Sequence, residues 1–499
     1  MVGFLFQEFI QALEMNEMKE LSLFRDLNYI SGTWIGASSG QTLDVTNPAT
    51  NKKIGTIPNS GKAETEKAIQ AAKLAFPEWK KTPAKERAII LRKWFHLILE
   101  NADELAKILT MEQGKPLAEA NGEITYAASY IEWFSEEAKR VYGDIIPSHR
   151  KDTRIFVLKE PIGVVATITP WNFPSAMLAR KVAPALAAGC TVVSKPSELT
   201  PYSAFALAVL AERAGLPKGV WNLVTGDHIA IGEEILNAKD VRKLSFTGST
   251  RTGMYLMEKS AKTLKKLSLE LGGNAPFIVF KDADLDEALK GAMLSKYRNT
   301  GQTCVCVNRF IVEESIASEF ANRLSDLASK LKVGDGLNTE VQQGPLINEA
   351  ALEKVELHIK DAKDKGAKVL TGGKKHSLGG TFFEPTVLFP VNNQMLVCQE
   401  ETFGPVSSIQ TFRTEEEAIH LANDTDFGLA SYLYTKDIAK LFRVAESLEY
   451  GMVGINEGLI SSEQVPFGGV KFSGMGREGS KYGIDDYIVT KYLCLGGIT

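Results

Sequence analysis

Three residues of the chain carry side chains that together could perform nucleophilic catalysis. Cys304 lies in the glycine-led segment 301–306, after a predicted helix, where a helix end or nearby amides can lower the pKa of a thiol. Glu270 closes the apolar run 267–269, where burial would raise the pKa of a carboxyl and suit it as a general base. Asn172 has an amide that could donate to an oxyanion. Taken singly, the three also fit a packed thiol, a solvated strand end and an ordinary turn residue.

A second group of residues could bind a dinucleotide. The usual fingerprint GxGxxG is absent, and so is the GxxxxGK[ST] loop of nucleoside-triphosphate enzymes. Instead, Gly248 and Ser249 follow a predicted strand and open a predicted helix, whose N-terminus favours an anion such as a pyrophosphate. Lys195 and Glu198 end another predicted strand, where both side chains can reach ribose hydroxyls. A capped helix start needs no ligand, so the Gly248–Ser249 motif is weak when taken alone.

The elements that must position these residues alternate between short strands and helices. Residues 62–142 are mainly helical, with apolar residues at helical spacing over 64–76 and 87–109 and a cap for a further helix at 101–103. Apolar, β-branched runs then predict strands near 162–168, 191–193, 221–224 and 243–247, and a second series near 277–280, 309–313, 432–434 and 453–456. Helical stretches separate them, which predicts two α/β units with parallel sheets, meeting near 271–273. A lone C-terminal strand over 487–495 needs a partner, either 154–158 or another subunit.

Composition excludes several classes of protein. With 499 residues, 44% hydrophobic and 24% charged, the chain is a globular protein too long for one ordinary core. A net charge of −4 argues against a nucleic-acid partner. Five cysteines and six scattered histidines form neither a disulfide framework nor a metal site, which favours a reducing cytoplasm and no metal. No apolar run is long enough for a membrane span, and residues 1–25 are expected to be a frayed helix or an overlong start.

Six segments occur in the order and at the spacing of one enzyme superfamily. They are 170–174 (PWNFP), 195–198 (KPSE), 246–249 (FTGS), 270–273 (ELGG), 301–304 (GQTC) and 400–405 (EETFGP). On these segments the chain resembles the aldehyde dehydrogenases, from about residue 44 to its C-terminus. The resemblance implies an α/β fold with a Rossmann-type cofactor domain, an α/β catalytic domain and a small β oligomerisation arm, assembled as a homodimer or homotetramer. The implied bounds are 1–25 for an N-terminal extension, 26–148 and 164–271 for the NAD-binding domain, 272–475 for the catalytic domain, and 149–163 with 476–499 for the arm.

Three further segments resemble the succinate-semialdehyde dehydrogenases within that superfamily. They are 295–306 (SKYRNTGQTCVC), 456–462 (NEGLISS) and 476–483 (GREGSKYG). In that subfamily two arginines and a serine hold the distal carboxylate of the substrate, and the matching residues here are Arg180, Arg298 and Ser462. Paired guanidinium groups suit a carboxylate because their hydrogen bonds are charge-assisted and can be bidentate. The resemblance therefore implies a small-molecule semialdehyde partner and oxidation of succinate semialdehyde to succinate.

The resemblance also implies a role for the other motif residues. Cys304 attacks the aldehyde, the Asn172 amide and the Cys304 backbone N–H hold the oxyanion, and Glu270 activates the water that hydrolyses the thioester. The implied cofactor-binding residues are Trp171, Asn172, Lys195, Pro196, Ser197, Glu198, Gly248, Ser249, Leu271, Glu401 and Phe403. A carboxylate at Glu198 accepts hydrogen bonds from both ribose hydroxyls and repels a 2′-phosphate. We therefore expect NAD in preference to NADP.

Several alternatives stay open at the level of sequence. Cys306, two residues after the nucleophile, could form a regulatory disulfide with Cys304 or could simply pack beneath the loop. Glutarate semialdehyde is one methylene longer than succinate semialdehyde, a difference worth only about 1–3 kcal/mol of discrimination. A non-redox cysteine esterase or acyltransferase could use Cys304 with Glu270, but it would need no dinucleotide segments. A protein that keeps the enzyme fold in a purely structural or binding role would be expected to lack the nucleophile or the base, and both are present.

Overall fold

The computed structural model describes residues 15–498, and within that range the largest sheet has eight strands. These strands are β1 (Asn28–Ile30), β2 (Thr33–Ile35), β7 (Val164–Ile168), β8 (Thr191–Lys195), β9 (Trp221–Leu223), β10 (Val241–Thr247), β11 (Lys266–Glu270) and β19 (Gly474–Met475). Their order is β19-β11-β10-β7-β8-β9-β1-β2. In this order, the neighbouring strands from β11 to β9 run parallel to one another. Antiparallel strands complete the sheet at both edges, β19 beside β11 and β1 with β2 beside β9. The alternation of strands and helices in the sequence predicts the parallel central part of this sheet.

Helices accompany this sheet. They are α1 (Lys62–Lys81), α2 (Ala84–Glu100), α3 (Ala102–Gln113), α4 (Leu117–Glu137), α5 (Pro174–Ala188), α6 (Tyr202–Ala214), α7 (His228–Asn237) and α8 (Thr250–Ser260). Helix α5 starts with a proline, ends at left-handed Gly189 and is buried along its whole length, consistent with its largely apolar composition. Asn101 (φ −113°, ψ 21°) separates α2 from α3, at the place where the sequence predicted a cap for the next helix, although its side chain makes no capping hydrogen bond.

A second sheet has seven strands in the order β14-β15-β16-β13-β12-β17-β18. They are β12 (Ala275–Val279), β13 (Val307–Glu313), β14 (Lys368–Thr371), β15 (Thr386–Phe389), β16 (Val406–Phe412), β17 (Ala430–Tyr434) and β18 (Met452–Ile455). Its helices are α9 (Leu285–Tyr297), α10 (Glu314–Ala328), α11 (Glu349–Asp364), α12 (Leu396–Gln399), α13 (Glu415–Asn423) and α14 (Ile438–Ser447). Only β14 is antiparallel to its neighbour. Four of these strands were predicted, whereas β14, β15 and β16 were missed.

Two smaller sheets complete the described part of the chain. The hairpin β3 (Thr42–Asn47) and β4 (Lys52–Pro58) forms one of them. The other has the order β20-β6-β5, with β5 (Asp144–Ile146), β6 (Thr153–Pro161) and β20 (Ile488–Gly496). We call this second sheet the arm sheet. Leu158 and Arg154 of β6 pair with the C-terminal strand, so the first of the two predicted partners is confirmed. Strand β5 also belongs to the arm sheet, although its residues 144–146 precede residue 149, where the predicted arm begins.

The segment 15–25 is packed onto the fold rather than frayed. Met18 and Leu23 are fully buried in the main core. The backbone N–H of Leu23 donates a 2.7 Å hydrogen bond to Glu104 on α3, and Glu17 pairs with Lys107 of the same helix at 2.7 Å. The expectation of a frayed helix is therefore wrong for these residues. Residues 1–14, on which the rest of that expectation falls, lie outside the described residues.

Candidate active site

A cavity of about 390 Å³ opens where the parallel strands β7, β10 and β11 end. Parallel strands bring the segments that follow them to one edge of the sheet, so residues distant in sequence meet there. The cavity is lined by ten of the predicted site residues: Trp171, Asn172, Arg180, Gly248, Ser249, Leu271, Arg298, Cys304, Glu401 and Phe403. The structure thus gathers the predicted nucleophile, oxyanion donor and arginines around one space.

Cys304 is presented by a turn with unusual backbone geometry. Asn299 (φ 51°), Thr300 (φ 59°) and Gly301 (φ 75°) all lie in the left-handed region, and Gly301 packs so closely on the Gly404 carbonyl that no side chain would fit. The Cys304 thiol lines the cavity and is half-buried. Burial raises its pKa to about 12, against the opposing effect of Arg180. The direction is therefore the opposite of the lowering that the sequence suggested for this thiol.

Asn172 is buried beside the nucleophile. Its Nδ2 donates a 3.0 Å hydrogen bond to the carbonyl of Gln302, two residues before Cys304. The amide is therefore linked to the same turn that carries the thiol. A donor held at a constant place next to a nucleophile can stabilise the negative charge that develops on an attacked carbonyl oxygen.

Glu270 ends β11, as predicted, but its carboxylate is turned away from the cavity wall. Its Oε1 packs against Gly468, where an added Cβ atom would lie only 2.9 Å from this oxygen. Its Oε2 is buried and has no hydrogen-bond partner among the described residues. Burial, followed by the negative charge of Glu478, raises its pKa well above the usual value. The group is close enough to Cys304 to influence the pKa of the thiol. A carboxyl of raised pKa beside a nucleophile has the properties of a general base.

A second space, of about 690 Å³, adjoins the first and shares Pro170, Trp171, Gly248 and Ser249 with it. We call it the cofactor cleft. Its lining includes Lys195 and Glu198, whose side chains are 2.9 Å apart. Ser249 caps α8 by accepting a 3.3 Å hydrogen bond from the Thr252 backbone N–H, as predicted. The N-terminus of α8 suits a pyrophosphate, and the Lys195–Glu198 pair suits a ribose. The cleft therefore fits a dinucleotide whose reactive end would lie in the first cavity.

Other predicted cofactor residues divide into two groups. Trp171 and Phe403 are edge-to-face in the first cavity, with ring centroids 5.7 Å apart, and Glu401 accepts a 3.1 Å hydrogen bond from the Gly273 backbone N–H. Burial raises the pKa of Glu401 to about 7. Pro196 and Ser197 are not among the residues that line either space. They shape the end of β8, since the Pro196 carbonyl accepts from Lys195 and the Ser197 hydroxyl accepts from the Leu199 backbone.

Arg180 and Arg298 make one end of the first cavity cationic. Arg180 is buried on α5, with its guanidinium carbon 3.8 Å from the centre of the Phe467 ring. Its Nε lies 2.8 Å from Glu478 Oε2, but the buried Nη2 has no hydrogen-bond partner in residues 15–498. The Arg298 guanidinium carbon lies 5.0 Å from the ring centre of Phe173. A buried guanidinium N–H without an acceptor is a donor available to a bound anion.

These features coincide with a known enzyme family. The model described as "Aldehyde dehydrogenase family" matches residues 34–493. The chain belongs to this family. It is an NAD(P)-dependent aldehyde dehydrogenase, and its α/β fold is the one predicted. The redox interpretation of Cys304 is therefore the one that the comparisons support over a non-redox esterase or acyltransferase.

Three relatives show how similar the dehydrogenase is to characterised proteins. It is 60% identical over 482 residues to the glutarate-semialdehyde dehydrogenase of Pseudomonas aeruginosa, covering 97% of this chain and 100% of the relative. It is 58% identical to the succinate-semialdehyde dehydrogenase [NADP(+)] GabD of Escherichia coli, covering 96% and 100%. The crystal structure of succinate-semialdehyde dehydrogenase from Burkholderia pseudomallei superposes with a TM-score of 0.95 at 62% identity, covering 96% and 99%.

The predicted serine of the dehydrogenase is not where sequence reasoning put it. Ser461, not Ser462, lines the cavity with the two arginines. The Ser462 hydroxyl instead donates to Glu463 at 3.2 Å, and its carbonyl accepts a 3.2 Å hydrogen bond from the Tyr130 hydroxyl. The two serines are adjacent in a loop with no regular period, so spacing could not decide which one faces the cavity.

Glu478 supports the site through Arg180, and the sequence analysis gave it no role. It pairs with Arg180 at 2.8 Å and with Lys181 at a still shorter distance, and these cations hold its pKa below the usual range despite its burial. A signal existed, because two cations on a helix as apolar as α5 require a buried carboxylate. Tyr126, Met177 and Phe467 also line the cavity and were not predicted.

Cys306 packs beneath the catalytic turn of the dehydrogenase. It is buried, and its Sγ lies 3.3 Å from the Lys296 carbonyl and 3.5 Å from that of Val307. The disulfide with Cys304 stays a prediction. Within residues 15–498 no group of His, Cys, Asp or Glu could hold a metal ion, and no helix in that range is long and apolar enough to cross a membrane.

Proposed function

We propose that this dehydrogenase oxidises a short semialdehyde with a carboxylate at its far end, and that succinate semialdehyde is its substrate. The observation that carries the proposal is the buried Arg180, which lines the cavity of Cys304 with an Nη2 that has no acceptor among the described residues. An uncharged aldehyde would leave this donor unsatisfied, whereas a carboxylate satisfies it. Arg298 and Ser461 supply further contacts at the same end.

Nucleophilic attack is the first half of the proposed reaction. The Cys304 sulfur, once deprotonated, bonds to the aldehyde carbon, and the carbonyl π electrons move onto its oxygen. The Asn172 amide and the Cys304 backbone N–H donate to that oxyanion. The C–H bond then breaks with both electrons as hydride, and the C=O bond re-forms. NAD held in the cofactor cleft by Lys195, Glu198 and Ser249 would supply the acceptor for that hydride. The acyl group is left on Cys304 as a thioester.

Hydrolysis of the thioester is the second half. Glu270 accepts a proton from water as the water oxygen attacks the acyl carbon. The C–S bond breaks, the acid leaves and Cys304 carries the sulfur electron pair again. The raised pKa of Glu270 makes its carboxylate a stronger base than an exposed one. Rotation of the side chain from beside Gly468 towards the cavity would bring it to the acyl group.

NAD is the preferred oxidant in this proposal. Glu198 lines the cofactor cleft and is paired with Lys195. A 2′-phosphate on the ribose would meet this carboxylate and be repelled by it. The Escherichia coli relative carries NADP(+) in its name, so the preference proposed here differs from what that name states.

The arm sheet is proposed to join copies of the chain as a dimer or tetramer. Its strand β20 exposes three large apolar side chains, those of Tyr492, Leu493 and Leu495. A group of exposed apolar side chains of this kind is typical of a protein–protein interface. The strand has a single neighbour, β6, so its other edge is free to pair in the described part of the chain.

The proposed substrate can be tested with three aldehydes of similar length. Succinate semialdehyde, glutarate semialdehyde and butanal would be incubated with the enzyme and NAD, and formation of reduced nicotinamide followed. We expect kcat/KM for succinate semialdehyde to exceed that for butanal by about 10- to 100-fold, as expected for hydrogen bonds to a charged group. Arg180→Met should remove most of this advantage and leave butanal oxidation nearly unchanged. Equal efficiency with butanal and succinate semialdehyde would overturn the proposal.

Glutarate semialdehyde is the competing substrate, because the Pseudomonas aeruginosa relative is named for it. A preference for the longer semialdehyde would keep the carboxylate-binding role of Arg180 and correct the chain length. A difference of about 1–3 kcal/mol per methylene is large enough to measure in kcat/KM.

A further inference from the structure

A buried ion pair lies outside both the cavity and the cofactor cleft. Lys115 follows α3 and Glu123 is on α4, and both side chains have no solvent exposure. The Lys115 Nζ is 2.6 Å from Glu123 Oε2. Removing two charges from water is costly, and a well-packed apolar pair would often be as stable. The pair therefore calls for an explanation beyond stability.

Each member of the pair holds one end of the segment that carries Asn172. The Lys115 Nζ donates a 2.8 Å hydrogen bond to the Asn172 carbonyl. Glu123 Oε1 accepts from the backbone N–H of Ser175 at 2.9 Å and of Ala176 at 3.2 Å, which are free donors at the start of α5. The ammonium also lies 3.7 Å from the ring centre of Phe173. Lys115 and Glu123 thus clamp residues 172–176 from two sides.

The catalytic turn is attached to the same point. The Asn299 Nδ2 donates to the Asn172 carbonyl at 2.9 Å and to the Gln302 carbonyl at 3.2 Å. The Asn172 carbonyl therefore accepts two hydrogen bonds, from Lys115 and from Asn299. The Asn172 amide in turn donates to Gln302. The backbone and the side chain of Asn172 are both held relative to the turn that carries Cys304.

We propose that Lys115 is a positioning residue for the oxyanion donor: its ammonium, neutralised by Glu123, holds the Asn172 carbonyl so that the Asn172 amide stays aimed beside Cys304. This inference rests on the proposed function, in which the Asn172 amide stabilises the oxyanion. Lys115 itself does not line the cavity, so it acts through Asn172 and not on the substrate. Displacement of a catalytic group by about 1 Å can cost on the order of 100-fold in rate, so small losses of alignment are measurable.

A double-mutant cycle tests whether Lys115 acts through Asn172. Asn172→Ala should lower kcat by about 100- to 1000-fold, as for loss of an oxyanion donor. Lys115→Met should lower kcat by about tenfold or more, with KM for the semialdehyde changed less than about threefold, because alignment and not binding is lost. The double variant should be no slower than Asn172→Ala by more than about twofold, since residues that act together are not additive.

A matched control separates positioning from general stability. Lys265 is also a buried lysine, and its Nζ donates to the carbonyls of Ala238 at 2.7 Å and Val241 at 3.0 Å. It precedes β11 at the end of the strand opposite Glu270. Lys265→Met should lower the melting temperature while kcat stays within about twofold of the wild type.

The outcomes separate failure of the inference from failure of the proposed function. If the effect of Lys115→Met on kcat is the same factor with and without the Asn172 side chain, the positioning role is overturned. If Asn172→Ala itself keeps the wild-type kcat, the proposed oxyanion role fails and the inference falls with it. Asn299→Gly supplies a second cycle if Lys115→Met does not fold, because the left-handed φ of 51° suits glycine. It removes the other donor to the Asn172 carbonyl, and an additive loss there would also overturn the inference.

Discussion

Lys195 Nζ lies 2.9 Å from Glu198 Oε2 at the carboxyl end of β8, and both side chains line the cofactor cleft. Burial acts to raise the pKa of Glu198, but the Lys195 ammonium, together with a backbone hydrogen bond and His228, holds the pKa below its usual range. The carboxylate is therefore charged at neutral pH. It can accept hydrogen bonds from ribose hydroxyls but would repel a second anion, such as a 2′-phosphate, placed beside it.

Removing this carboxylate should broaden the choice of cofactor. In Glu198→Ser we expect kcat/KM with NADP to rise at least about tenfold, because a like-charge contact with the 2′-phosphate is lost. The efficiency with NAD should fall, because a ribose acceptor is lost. Glu258→Ser, which removes an exposed carboxylate from α8, should leave both efficiencies unchanged. An unchanged ratio of NAD to NADP efficiency in Glu198→Ser would contradict the role given to this residue.

The reactivity of Cys304 should depend steeply on pH. Burial raises the pKa of this thiol to about 12, and only the thiolate is nucleophilic. In the cofactor-free enzyme, the rate of alkylation by iodoacetamide should therefore rise by about tenfold per pH unit between pH 7 and pH 9. The measurement needs a Cys494→Ser background, because Cys494 is exposed. Cys304→Ser identifies the labelled residue, and a plateau below pH 9 would show that the thiol is already ionised.

Peroxide should inactivate the enzyme reversibly if Cys306 forms a disulfide with Cys304. The two thiols would lose two electrons and two protons to hydrogen peroxide, which is reduced to water, and a dithiol would restore activity. In Cys306→Ala we expect recovery with a dithiol to be lost, since oxidation of Cys304 alone proceeds to sulfinic acid. Cys398→Ala, at another buried cysteine, should behave as the wild type. Full recovery in Cys306→Ala would rule out this disulfide.

Charge on the outer strand of the arm sheet should weaken assembly. Leu493 and Leu495 lie two residues apart on β20 and are 41% and 53% exposed in the single chain. Lysines at both positions should shift the mass measured by light scattering towards a smaller species, because charges would be buried at the interface. Leu378→Lys, at a leucine that is 57% exposed, should leave the mass unchanged. A monomeric wild-type enzyme would remove the basis for this prediction.

Local patterns in the sequence were enough to predict the central strands and the residues that meet at their ends. Strands β7, β8 and β10 are short apolar runs, and in parallel sheets the segments after such runs converge at one edge. Asn172, after the end of β7, was predicted in this way, whereas Cys304 was predicted from the turn that follows a helix and Arg180 only from the resemblance to the succinate-semialdehyde dehydrogenases. Strands β14 to β16 were not predicted, because their short segments show no distinctive alternation of apolar and polar residues. Their pairing depends instead on the neighbouring strands of the sheet.

The sequence by itself determined the family, and it predicted the nucleophile, the base and a cationic end of the substrate cavity. Only the tertiary structure decided that Ser461 and not Ser462 faces the cavity, and that Glu270 rests beside Gly468. It also joined Lys181 to Glu478 across 297 residues of sequence. The physical reason is that residue type and spacing reflect local backbone preference and burial. The direction of a loop side chain and the partner of a buried charge depend instead on which distant segments pack against them.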